Sequence, residues 1–337
     1  MKKEKITALD FLRTFCAVGI IFYHISCYAG EQASRVFHSY ANGDYGAILV
    51  GIFLMISGTV LYYNYQQIPS LKTFYYKRWK TMYPAFYLAW AGLAAALCLV
   101  NRGSVWNAPA YKFILTLLGL DGYLNYLGPT FYLVGEWFFG AIVLLYVIYP
   151  LLMKAVNRFG WTVLVVLLPL WFWQDNTSFF RIHPECNLIY CTLQFVLGML
   201  TAKHHLYKNK YLLYLSIPAA LTLLIIPIPY LPGVQRVCLL FFAFFALFAV
   251  GQLLTKVTVL EKIFRFLGDL SFFVFLLQNN VGSFITLRVK PVSTFSIAAV
   301  AIITVALCFV GAFVMKWLLN QLFNTKLYKK LENRILG

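Results

Sequence analysis

The chain has 337 residues, of which 61% are hydrophobic, 18% aromatic and only 12% charged. That charged fraction is about half the usual value for a soluble domain, and with a mean hydropathy of +0.75 it excludes a soluble globular enzyme and describes an integral membrane protein. The net charge of +17, from 28 Lys and Arg against 11 Asp and Glu, would suit nucleic acid in a soluble chain. No zinc-finger, RNP or helix-turn-helix spacing accompanies it, so the partners expected are the lipid bilayer and small molecules, not nucleic acid.

At ~20 apolar residues per crossing the length fits roughly ten helices. The predicted fold is therefore all-α and polytopic, with residues 1–337 forming one transmembrane domain and no appended soluble domain. In chain order the apolar runs fall at 7–28, 46–65, 84–100, 131–153, 161–174, 187–202, 211–226, 236–254, 268–287 and 294–320, with a shorter interfacial or re-entrant stretch at 111–120. The first run is too long for a signal peptide and has no small-residue cleavage site, so it is read as a retained span. Alternate connecting segments hold twenty Lys and Arg on one side against seven on the other, with Arg13 inside the first span. Positive charge concentrates on the cytoplasmic side, which predicts both termini cytoplasmic.

An ionisable group at membrane depth costs at least ~2.5 kcal/mol, so such groups are functional candidates. The first span carries three, Asp10, Arg13 and His24. Asp10 is three residues from Arg13, a spacing that favours an ion pair. Arg13 and His24 are eleven residues apart, nearly the same helix face and ~16 Å along it. That predicts one shared cavity with Arg13 toward the cytoplasm and His24 toward the outside. In the second span, Ser57 and Gly58 suit close helix packing better than nucleophilic chemistry. Before the third span, FYYKRWKTMYP (74–84) brings Lys77, Arg78 and Lys80 together. Such a cluster serves either topology or phosphate binding. Glu136 begins the fourth span at the same predicted depth as His24, where a carboxylate can orient an imidazole that takes a proton from an alcohol. Beyond it, His183 and Glu185 do not make a metal site, and none of the seven cysteines has ligand spacing, so no metal is expected. Trp106, Trp137, Trp171 and Trp173 read as sugar-stacking residues or, more simply, as an interfacial aromatic belt.

Five of these segments, in this order, resemble the acyltransferase 3 family of membrane O-acyltransferases. They are ALDFLRTFCAVGIIFYH (8–24), FLMISGTVL (53–61), FYYKRWKTMYP (74–84), LVGEWFFGAIVLLYVIYPLL (133–152) and LGDLSFFVFLLQN (267–279). The resemblance implies a multi-pass protein of the bacterial cytoplasmic membrane. It would transfer an acyl group, often acetyl, from cytoplasmic acyl-CoA to a hydroxyl of a cell-envelope or exported carbohydrate. It also implies His24 as catalytic and Arg13 as essential; the chemistry and spacing above make His24 a general base and Glu136 and Asp10 the carboxylate partners of the two. The donor is expected on Arg13, Lys77, Arg78 and Lys80. Three positions depart from the family pattern: Thr81 stands where a second Arg is common, and Gln278 and Asn279 stand where a His is common. A glycan transporter or flippase, or a non-catalytic protein retaining the fold, is the rival expectation. A homo-oligomer is left open.

Overall fold

A computed structural model describes residues 5–29, 36–103 and 106–336. Lys2, Lys3 and Arg35 of the charge count lie outside the described residues. Ten apolar helices dominate: α1 (Ala8–Tyr28), α2 (Tyr45–Asn64), α3 (Leu71–Asn101), α4 (Glu136–Phe159), α5 (Leu164–Asp175), α6 (Leu188–Lys203), α7 (Lys210–Ile225), α8 (Pro232–Leu254), α9 (Thr258–Val289) and α10 (Thr294–Asn324). An amphipathic eleventh, α11 (Lys326–Leu336), follows. The strands described are a hairpin, Ser39–Tyr40 with Gly43–Asp44, between α1 and α2. The protein is thus an all-α polytopic membrane protein.

Local sequence explains where the helices begin. Asp44, Ser70, Asn187 and Asn209 each accept a first-turn backbone N–H at the starts of α2, α3, α6 and α7. Ser293 and Ser296 form a reciprocal capping box at the start of α10, satisfying amides that water cannot reach in lipid. By length and composition, seven stretches among the described residues can cross a membrane. One of them, Glu136–Asp175, has 40 residues, and at 1.5 Å per residue its ~60 Å is twice a hydrocarbon core. It bends at Gly160 (φ +56°) into antiparallel α4 and α5. The Lys203 ammonium at the end of α6 donates to the Val156 and Asn157 carbonyls at the end of α4. Gln174 at the end of α5 instead reaches Pro184, just before α6 begins. Helices α6 and α7 have 16 residues each, ~24 Å long. α6 tolerates this because Tyr190–Ala202 is buried by protein.

Two predicted spans start later in the sequence reading than in the structure. The third helix begins at Leu71, with Pro84 inside it, because Ser70 caps it and Pro84 interrupts without terminating it. The ninth begins at Thr258. The basic stretch 74–84 is therefore helical, which changes how its charges are displayed.

Helix α1 is the axis of the bundle, packed against α2, α8, α9 and α10. The closest helix pair is α2 with α6. A Cβ on Gly58 would lie 1.9 Å from the Phe195 carbonyl oxygen, and one on Gly198 would lie 2.1 Å from that of Met55. Thr59 donates to the Gly198 carbonyl across this seam at 3.0 Å. Small residues here serve backbone approach, the packing reading of the Ser57–Gly58 pair.

Candidate active site

The charged end of α1 is assembled first by short-range geometry. Asp10 is 1% exposed and accepts from the Arg13 guanidinium at 2.9 Å, while the Lys5 ammonium lies 2.7 Å from its other oxygen. Gly268 of α9 makes room: a Cβ there would come within 2.9 Å of the Asp10 carbonyl. A buried carboxylate needs such paired cations to remain charged, and in return it aims Arg13 into a cavity of about 290 Å³.

That cavity lies between α1, α2, α3, α4 and α9, and is lined by Arg13, Ser57, Arg78, Thr81 and Asp269 among others. Helical periodicity splits the basic stretch that neighbours it. At 100° per residue Lys77, Arg78 and Lys80 point in three directions. Arg78 enters the cavity beside Thr81, three residues on. Its guanidinium lies 5.5 Å from the Tyr65 ring and 5.9 Å from that of Tyr146, and its buried Nε has no hydrogen-bond partner among the described residues. Lys80 turns away to Glu332 of α11 at 2.5 Å and to the rings of Phe323 and Tyr328. Lys77 is exposed. Of the three, only Arg78 lines the cavity.

Arg13 lines this cavity and His24 does not. The cavity stops short of His24, walled by Phe53, Phe138 and Phe275. The Phe138 ring packs against Phe275 at 5.1 Å and Phe53 at 6.2 Å.

Eleven residues after Arg13 on α1, His24 meets Glu136. The imidazole Nε2 is 3.4 Å from one carboxylate oxygen, and Gln278 of α9 donates its amide N–H to the other at 2.9 Å. The neighbours continue the pattern: Tyr28 donates to Asn279 at 2.5 Å, and Asn280 donates to the Leu133 carbonyl at 2.8 Å. Thus Gln278 and Asn279, departures from the family pattern, flank the imidazole and its carboxylate.

Glu136 owes its aim to backbone geometry. Gly135 (φ +83°) and Glu136 (φ +41°) are both left-handed, a conformation that costs a non-glycine residue of order 1 kcal/mol or more. The loop before α4 holds it there. Gly122 lies so close that a Cβ would sit 2.4 Å from the Glu136 carbonyl oxygen. Asp121, 1% exposed, accepts from Gly122 N–H at 2.9 Å and from Thr116. Burial pushes its carboxyl above the usual range, opposed by these hydrogen bonds. Tyr83, Tyr87 and Trp90 of α3 bind the same segment through the carbonyls of Leu118, Leu117 and Phe131. Sequence reasoning overlooked Asp121 and the positioning part of Gln278. The Asp-Gly pair at 121–122 was the available signal for a tight turn; nothing in the sequence pairs Gln278 with Glu136.

Other candidates are engaged elsewhere. Glu185 joins Asp175 in pairing Arg236, a structural clamp that ties the end of α5, the turn before α6 and the start of α8 together. His38 stacks on Tyr23 and His204 on Trp161, while His205 bonds Tyr207. Trp171 is buried and Trp106 stacks on Trp90, leaving Trp173 half-exposed.

Residues 6–316 match a family model described as an acyltransferase domain. No curated protein and no solved structure matches the chain. A match over nearly the whole length of a ten-helix bundle admits a plain conclusion: the chain belongs to the acyltransferase 3 family, and it is a membrane enzyme that transfers acyl groups other than amino-acyl groups.

Proposed function

We propose that the protein is an O-acyltransferase that takes its acyl group from cytoplasmic acyl-CoA, acetyl-CoA being the simplest donor, and passes it to a hydroxyl of a cell-envelope or exported carbohydrate. The observation that carries this reading is the His24–Glu136–Gln278 chain just beyond the aromatic end of a cavity that presents Arg13 and Arg78.

The roles follow from the chemistry. His24 accepts the proton of the acceptor hydroxyl as its oxygen attacks the thioester carbonyl, and Glu136 orients the ring and balances the imidazolium. The carbon–sulfur bond then breaks, the imidazolium returns its proton to the departing sulfur, and an ester and free CoA thiol result. Because the thioester is already activated, positioning and charge stabilisation supply most of the remainder. The N-terminus of α4, which begins at Glu136 without a side-chain cap, turns the positive end of its dipole toward the developing oxyanion. Asp10 positions Arg13, and Arg13 with Arg78 faces the donor's phosphates.

The reading is tested with purified protein in proteoliposomes supplied with acetyl-CoA and isolated envelope glycans. Thiol release coupled to an acetyl mass increment on the glycan is the expected result. Glycan movement without thiol release would instead identify a flippase. Under the same assay Arg78→Gln is expected to raise KM for the donor by ~10- to 100-fold, the worth of one charge-assisted hydrogen bond, with kcat little changed. An unchanged KM would remove Arg78 from the donor site.

A further inference from the structure

The cavity holding Arg13 and Arg78 does not end at the bundle surface. A second cavity of about 230 Å³ adjoins it, sharing Arg13 and Val60, and is lined by Lys5, Tyr63 and Asn64. A third, of about 540 Å³, shares Lys5, Ile6 and Tyr63 with the second and opens between the chain before α1, the turn after α6 and the α8–α9 connection. Its polar walls are Tyr207, Lys208, Gln252 and Lys256. The three adjoin through shared lining residues, and their combined size lies just above the ~300–1,000 Å³ range of cofactor sites.

Charge is graded along this groove. The inner segment has two guanidinium groups, the Asp269 carboxylate, which Lys5 and Lys316 approach within 4 Å, and otherwise largely apolar walls; the middle has Lys5 and Arg13; the mouth has Lys5, Lys208 and Lys256. Among the described residues, no Asp or Glu lines the middle or the mouth. Lys5 is committed to Asp10, but Lys208 and Lys256 make no ion pair among the described residues, and both are exposed. Tyr207 is held by its backbone carbonyl, which accepts from Gln252 at 3.3 Å, and by its hydroxyl contact to His205 at 3.1 Å. An apolar arm inward, cations midway and a second, separate cationic site framed by two tyrosines match a ligand with anionic groups at two places on one long chain.

We infer that the mouth of this groove, through Lys208 and Lys256, binds the ribose 3′-phosphate of the acyl-CoA donor, with the adenine against Tyr63 and Tyr207. The diphosphate then lies at Arg13 and Arg78 and the pantetheine arm runs toward Phe53, Phe138 and Phe275. This inference rests on the acyl-CoA reading above and assigns the donor's far end to a surface separate from Lys77 and Lys80. A compact phosphate point-contact suits lysine, whereas the inner diphosphate meets planar guanidinium groups.

The test compares CoA with 3′-dephospho-CoA binding to the full chain in phosphatidylcholine nanodiscs, where no anionic headgroup competes. The wild type is expected to bind CoA ~10-fold or more tightly than 3′-dephospho-CoA, the value of about one charge-assisted contact. The Lys208→Gln/Lys256→Gln double variant should lose that discrimination by weakening CoA alone, leaving 3′-dephospho-CoA within ~2-fold; both substitutions are at exposed positions, and the retained second ligand reports a folded protein. Lys77→Gln should leave both affinities unchanged. Equal affinities in the wild type, discrimination that survives the double variant, or discrimination lost in Lys77→Gln would each overturn the site while leaving the donor reading intact. A wild type that binds neither ligand would remove the donor reading and this site together.

Discussion

Replacing His24 by alanine is expected to lower acyl transfer by ~10²- to 10⁴-fold, the usual contribution of a positioned general base, while the protein remains in the membrane and still binds CoA. The basis is separation. His24 is not among the residues lining the cavity that presents Arg13 and Arg78, so removing the imidazole leaves that lining unchanged. Its side chain is 17% exposed and packs edge-on to Tyr23 at 5.3 Å, so the truncation opens only a small gap. Glu136→Gln should follow the same direction with a smaller loss, because His24 would keep its place but lose the charge that balances its protonated form. Steady-state rates of thiol release, read beside CoA affinity, separate the two. A His24→Ala protein that transfers acyl groups at the wild-type rate would end the assignment.

The second large effect is on folding. Gly58→Val should abolish monodisperse protein in detergent, or lower its thermal midpoint severely. The added Cβ would sit 1.9 Å from a backbone oxygen, and a backbone oxygen in a helix has nowhere to go unless α2 and α6 separate. Separation would also break the Thr59 hydrogen bond to the Gly198 carbonyl and loosen the most extensive helix pair in the molecule. The cost therefore exceeds the ~1–3 kcal/mol typical of overpacking at a yielding site. Gly92→Val is the matched control: on α3, a Cβ there meets nothing within 4 Å. If Gly58→Val is as stable as Gly92→Val, the seam is looser than these distances state.

Composition and apolar run length sufficed for the ten helices, since each run had to satisfy its own backbone inside lipid. The alternation of charge needed only counting. The Asp10–Arg13 pair was legible because it depends on helix geometry over three residues. The His24–Glu136 meeting was legible for a different reason: opposite-running helices with polar groups at equal distance from one surface leave few arrangements. Other features depended on side chains from distant helices. Three phenylalanines from α2, α4 and α9 interrupt a face that looks continuous on α1 alone. The stretch containing Lys77, Arg78 and Lys80 reads as one patch in sequence, but a helix turns it into three separate directions, and α11, 252 residues away, takes Lys80. Gln278 shows its partner only once α4 and α9 are side by side.

The aromatic closure at Phe53, Phe138 and Phe275 has a consequence for the cell as a whole. On the topology predicted from the sequence, a cation-lined groove entering from one face and an imidazole–carboxylate pair near the other would supply most of the parts of a proton leak. Protons crossing such a path would dissipate any proton gradient held across the membrane. Phe53, Phe138 and Phe275, packed edge-on and tilted, offer no strong hydrogen-bonding group along such a path. On the proposed function, an aromatic barrier of this kind would let the enzyme take donor and acceptor from opposite sides without opening a polar path between them.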